Sequence, residues 1–179
     1  MPEKRLQLSE AREIAKVGLK LGVVYQDADN ELRLFTRERG ITNGCYAHNY
    51  AAEQIGQPAG STIYFAVDFD LDNEADIKGA IAEYFRGVRQ GFEEAAGGRT
   101  LYDIGIYGSG RSCRVIRANL DFVKYSWLAL ATRWWEYNTY LDWNIKQFKA
   151  TDNLCGLPAN VWQFVEVKSE FGQFQLETV

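Results

Sequence analysis

Ten residues, Ser61 to Asp70 (STIYFAVDFD), restrict the fold of this chain more than any other stretch. Thr62 to Val67 are mostly apolar or β-favouring and run straight into Asp68, with Asp70 two positions on. A short continuous apolar run bounded by turn residues predicts a strand buried on both faces, as in a parallel sheet. Gln57, Pro58 and Gly60 punctuate its start, and an acidic, Asn-containing turn follows its end. The strand therefore aims charge at the rim of a sheet.

The flanking sequence repeats this logic. Ser9 reads as the N-cap of a first helix carrying Ile14 and Val17, with Gly18 near its end. Gly22 to Gln26 reads as a strand, followed by a polar loop from Asp27 to Glu31. A second helix is expected from Thr42 to Ile55, with Ala47, Ala51 and Ala52 as a small-residue face. The longest helix runs from near Glu74 to near Ala96. Its stripe is Ile77, Ile81, Tyr84, Phe85, Val88 and Phe92 at helical spacing. Further strands are expected at Asp103–Tyr107, Tyr125–Ala131 and Trp143–Phe148, with a short helix at Ser112–Leu120. The segments 160–167 and 171–176 are β-prone. Strands alternating with helices imply an α/β fold with a mainly parallel sheet. The 179 residues show no repeat or linker and read as a single domain, 1–179.

Several functions are disfavoured at this level. The net charge of -4 and sequence pI of about 5.1 argue against a basic nucleic-acid face. Cys45, Cys113 and Cys155 form no CxxC pair, and His48 is the only histidine, so no ordinary zinc site is expected. The cysteines read as free, largely buried thiols. No apolar run reaches the ~18 residues of a membrane span, and the first residues lack a signal-peptide core. As written, the chain is expected in the cytoplasm. An upstream export segment would make it extracellular or cell-wall-associated.

Chemistry concentrates at the ends of the strands. Asp68 and Asp70 share a face if the strand continues through them, about 6.5–7 Å apart at Cα. Like charges that close raise the proton affinity of one group, which is how a general acid is built beside a base or nucleophile. The same spacing also serves Mg²⁺ sites and plain turns. An EF-hand reading of Asp68 to Asp76 fails, because Asn73 stands where Gly is needed and Gly79 where Glu is needed. The run Gly105 to Gly110 lacks phosphate-loop spacing and reads as a tight turn after a strand. Tyr107 would line the cleft above it. Trp127, Trp134, Trp135, Tyr137, Tyr140 and Trp143 are aromatic faces suited to either core packing or sugar stacking. Gln147 ends a strand as an amide able to bond a ligand. His48 has no nucleophile partner and reads as a satisfied helix residue.

Taken together, these residues resemble a bacterial family of glycoside-hydrolase-like domains, TIM-barrel relatives of the muramidase-type lysozymes. The likeness rests on Gly56 to Asp70 (GQPAGSTIYFAVDFD), Ile104 to Gly110 (IGIYGSG), Ser126 to Ala129 (SWLA), Trp143 to Gln147 (WNIKQ) and Phe171 to Phe174 (FGQF), in that order. It implies an active cleft at the C-terminal ends of the strands. It implies Asp68 and Asp70 as the catalytic acidic pair, with Tyr107, Trp127 and Gln147 as substrate-binding residues. Related lysozymes usually carry Glu at the second acidic position, and Asp70 is one methylene shorter. The family's Asp-bearing first strand, expected ahead of Ser9, is missing. Ala159 stands where an Asp is usual. A complete barrel takes about 250 residues, so the expected fold is α/β, TIM-barrel-like, incomplete or lacking its first strand. Its open edges would need cover from the tail or from a second copy, giving a homo-oligomer.

The expected function is hydrolysis of peptidoglycan or a related polysaccharide, without metal or cofactor. The alternative is a catalytically inactive carbohydrate-binding or assembly module on the same fold.

Overall fold

A computed structural model describes residues 5–154 and 156–177. Helix α1 (Leu8–Lys16) leads into β1 (Val23–Tyr25), and a 3₁₀ turn (Leu32–Leu34) leads into α2 (Arg37–Asn49), which continues as a π-helical turn, Tyr50–Ile55. Strand β2 (Thr62–Ala66) precedes a long helix made of Glu74–Asp76, a π-helical stretch Ile77–Ile81, and Ala82–Ala95, together called α3. Then come β3 (Asp103–Gly108), α4 (Gly110–Asn119), β4 (Val123–Leu128), β5 (Ile145–Leu154) and β6 (Leu157–Val167).

The fold is mixed α/β, with a curled, half-barrel sheet of six strands in sequence order β1-β2-β3-β4-β5-β6. Strands β1 to β5 are parallel, and β6 returns antiparallel to β5 as a hairpin. The mainly parallel sheet agrees with the sequence reading. Among the described residues the sheet does not close, since β1 and β6 each pair on one side only.

Strand β2 is buried at every position, as its apolar run predicts. Ile63, Phe65 and Val67 turn toward the helices and join Ile104, Ile106, Leu128, Phe85, Val88 and Phe92 in the main core. The other face of β2 carries Tyr64 and Ala66. Tyr64 packs edge-on to Trp127 with centroids 5.6 Å apart, and its hydroxyl donates to the Phe171 carbonyl at 2.7 Å. The carboxy-terminal segment thus crosses the lower end of the concave face. Thr62 N–H donates to Gly172 O at 2.9 Å, and Leu21 and Phe174 form an antiparallel bridge. Ala11 of α1 packs with Leu21, Ile55 and Phe174 in a second core cluster. The tail 171–176 therefore supplies a bridge and cover rather than a full strand.

Helices α2 and α3 pack backbone to backbone. A Cβ at Gly40, Gly44, Gly87 or Gly91 would overlap the opposing helix's carbonyl oxygens, so glycine at these positions sets the separation. Helix α2 starts five residues before the expected Thr42, because Thr36 caps it by accepting from Arg39 N–H at 3.2 Å. Ser9 is not the cap of α1; Gln7 precedes that helix and makes no side-chain cap bond. Strand β5 begins two residues later than expected and runs six further. Gln147 is accordingly its third residue, not its end. The hairpin register, Ile145 to Leu154 against Val167 to Leu157, extends it.

Cys113 is buried, whereas Cys45 is only partly so; Cys155 lies outside the described residues. His48 is 3% exposed between Phe92 and Tyr102. Its Nε2 has no hydrogen-bond partner, so the expectation of a satisfied histidine is only half met. The strand segment around Ala159 lies in β6.

Candidate functional site

The five parallel strands deliver their C-terminal ends to one rim. Register sets Ala66 beside Tyr107, Tyr107 beside Trp127, and Trp127 beside Ile145. Asp68 emerges just past β2 and is half-buried. Its carboxylate accepts from the Gln26 amide, just past β1, at 3.0 Å. Its backbone N–H donates to the Asp29 carbonyl at 3.0 Å, so the loop after β1 is tied to the end of β2.

This tie brings a second carboxylate to Asp68, and it is Asp29. The Asp29 side chain is partly buried, and its Oδ2 has no hydrogen-bond partner. Burial, then the neighbouring Asp68 charge, push its pKa from 3.8 up to about 7. The backbone N–H of Asp29 first, and Gln26 after it, offset part of that rise by favouring the ionised form. Burial also raises Asp68 above the ordinary carboxylate range, and Gln26 again opposes it. A raised, partly buried acid beside a carboxylate that holds the Gln26 amide is an arrangement able to give and take a proton near neutrality.

Asp70 goes elsewhere. Strand β2 ends at Ala66, so the face-sharing rule no longer holds at Asp68 and Asp70. Asp70 is exposed, and its Oδ1 accepts from the Trp135 backbone N–H at 3.1 Å, in the loop after β4.

Tyr107, Trp127 and Gln147 come together. The Tyr107 and Trp127 rings meet at 5.9 Å, nearly edge-on, and Tyr107 Oη donates to Gln147 Oε1 at 3.3 Å. Burial first, then the Asp68 and Asp29 charges, hold the Tyr107 phenol well above its ordinary range, which keeps it a donor. Gln147 Oε1 also accepts from Leu130 N–H at 2.8 Å, and its amide donates to Gln163. Gln147 is thus buried and committed to protein partners. The Trp127 indole N–H is buried without one.

The sequence alone does not mark Asp29 and Gln26, which belong there to a polar loop and a strand end. The available signal was positional. Asp29 stands as far past the end of β1 as Asp70 stands past the end of β2. Among the described residues no cluster of His, Cys, Asp and Glu is arranged to hold a metal ion. No helix there is long and apolar enough to cross a membrane.

A family model described as "Rv2525c-like, glycoside hydrolase-like domain" matches residues 1–179. The chain belongs to this glycoside hydrolase-like family. The resemblance seen in the motifs is thereby established at family level. Two relatives come from Bacillus subtilis (strain 168). "Uncharacterized protein YbfG" is 36% identical over 118 residues, 65% of this chain and 16% of that protein. "Uncharacterized protein FadG" is 30% identical over 123 residues, 68% of this chain and 21% of that protein. The matched stretch is thus under a quarter of either relative. No solved structure matches the chain.

Proposed function

We propose that this glycoside hydrolase-like domain cleaves a polysaccharide of the peptidoglycan type, and that its curled sheet is the arc of a TIM-like (β/α) barrel. Asp29 acts as the proton donor to the glycosidic oxygen. Asp68 acts as the carboxylate that stabilises positive charge at the sugar carbon or orients a water. Asp70 completes the acidic rim, and Tyr107 and Trp127 wall the cleft, with Gln147 fixing the Tyr107 hydroxyl. The observation that carries this reading is the tie between Asp29 and Asp68, with Asp29 held protonated up to about pH 7.

In this reading the transition state gains from two matched changes. The leaving oxygen takes the Asp29 proton as its bond to carbon breaks, and the Asp68 charge faces the oxocarbenium-like ring. Loss of the proton from Asp29 disables the donor, so activity falls as pH rises through about 7.

The test is release of reducing ends from purified peptidoglycan sacculi by wild type, Asp29→Asn, Asp68→Asn and Asp70→Asn proteins. Loss of about a hundredfold or more in Asp29→Asn and Asp68→Asn supports the assignment. Unchanged turnover in Asp29→Asn and Asp68→Asn overturns it.

A carbohydrate-binding domain without turnover is the second reading. It is favoured by the commitment of Asp70 to Trp135 and of Gln147 to Leu130. Retention of sacculi without release of reducing ends by wild type selects it.

A further inference from the structure

The loop from Ala131 to Tyr140, between β4 and β5, presents an aromatic ring to solvent under unusual restraint. Trp135 is 47% exposed. Its backbone N–H donates to Asp70 Oδ1 at 3.1 Å, and its carbonyl accepts from Arg111 N–H, in α4, at 3.2 Å. The Arg111 guanidinium lies 4.0 Å from the ring centroid and underlies one face. That guanidinium is itself fixed, bonding the Asp72 carbonyl and Glu136 Oε1, the latter at 3.3 Å.

The next residue, Glu136, is the only non-glycine with positive φ among the described residues, at 64°. Such backbone is unfavourable for a side-chain-bearing residue and persists only when its surroundings enforce it. Here Arg114 enforces it, with contacts of 2.7 and 2.8 Å to the two Glu136 oxygens. Arg114 and then Arg111 hold the Glu136 carboxyl below its ordinary range, after burial is set against them. Gly110 adds room, since any side chain there would overlap the Glu136 carbonyl. Packing of an ordinary core does not account for this, because the ring so fixed is left half in water.

We propose that Trp135 is a stacking platform for a pyranose ring at the edge of the cleft, on the side of the rim where Asp70 meets the loop after β4. The occupant is a neutral sugar unit of a β-linked oligosaccharide, whose C–H face packs on the indole. The assignment rests on the carbohydrate reading above. Asp70 links the two regions, being two residues from Asp68 and bonded to the platform's backbone. A pre-positioned aromatic loses little conformational freedom on binding, which is why its fixation matters for affinity. Arg111 beneath the ring keeps the platform's orientation.

The experiment is titration of the full chain with chitotetraose, followed by the indole N–H resonances in NMR. The Trp135 resonance is assigned with Trp135→Phe. The expected results are a shift of that resonance and affinity weakened by about tenfold in Trp135→Ala. Trp135→Phe retains most of the affinity, and thermal unfolding of both variants tracks wild type. If Trp135→Ala fails to fold, the wild-type shift and the Phe variant still decide. No shift of the Trp135 resonance in a wild-type protein that binds, with Trp127→Ala weakening binding, overturns the platform and leaves the carbohydrate reading standing. Failure of wild type to bind chitotetraose overturns the platform, and added failure to bind peptidoglycan sacculi removes the carbohydrate reading as well.

Discussion

Replacing Asp29 by Asn should stabilise the protein at neutral and alkaline pH and leave it unchanged in acid. The native carboxyl binds its proton up to about pH 7, against an ordinary 3.8. Below the ordinary value both folded and unfolded chains hold the proton, and Asn mimics that neutral form. Between the two values the unfolded chain loses the proton while the folded chain keeps it. Stability of the wild type therefore falls as pH rises across that window and levels off above about 7. At about 1.4 kcal/mol per pH unit the full difference is about 4 kcal/mol. Partial exposure of Asp29 screens the charge, which brings the expected gain of Asp29→Asn at pH 8 to about 2 kcal/mol. Urea unfolding at pH 4 and pH 8 measures this directly. Equal stabilities of the two proteins at both pH values, or a less stable variant at pH 8, would refute the claim that burial holds the Asp29 carboxyl protonated up to about pH 7.

Two other perturbations probe how the site is mounted. Gly87→Ala forces a Cβ into the Arg37 carbonyl and should cost about 3 kcal/mol, whereas Gly79→Ala, with open space around it on the same helix, should be neutral or stabilising by up to about 1 kcal/mol in thermal unfolding. Equal effects of the two would show that the α2–α3 contact is looser than described. Asp70→Ala removes the acceptor of the Trp135 N–H and should lower stability by about 1 kcal/mol, with faster hydrogen exchange at that amide; unchanged exchange there would mean that Asp70 does not hold the loop.

What the sequence made legible follows from local rules. Thr62 to Val67 had to be a doubly covered strand, because six such residues in a row offer no polar face to water. Helix α3 was visible in its 3- and 4-residue spacings and is found at residues 74–95. The start of α2 was not, because its buried face is made by glycines fitted to another helix, a contact with no hydrophobic stripe. The sequence shows β5 only as far as Phe148, because Lys149, Thr151 and Asp152 beyond it carry no apolar pattern, and pairing with β6 extends the strand to Leu154. The candidate site divides in the same way. Asp68, Tyr107, Trp127 and Gln147 stand at strand ends or within strands and could be named from position. Asp29 could not, since its burial comes from a loop folded across to Asp68 N–H, a contact between residues 39 positions apart. The i,i+2 pairing of Asp68 with Asp70 holds only inside a strand, and the chain leaves β2 before reaching either.

The most direct measurement of the central claim is the titration of the Asp29 carboxyl carbon by NMR, in wild type and in Asp68→Asn. Coupled, partly buried carboxyls predict a midpoint of about 7 in wild type, moving part of the way toward 3.8 once the Asp68 charge is removed. A midpoint at the ordinary value in wild type, unaltered by Asp68→Asn, would contradict the assignment of Asp29 and Asp68 as one proton-handling site.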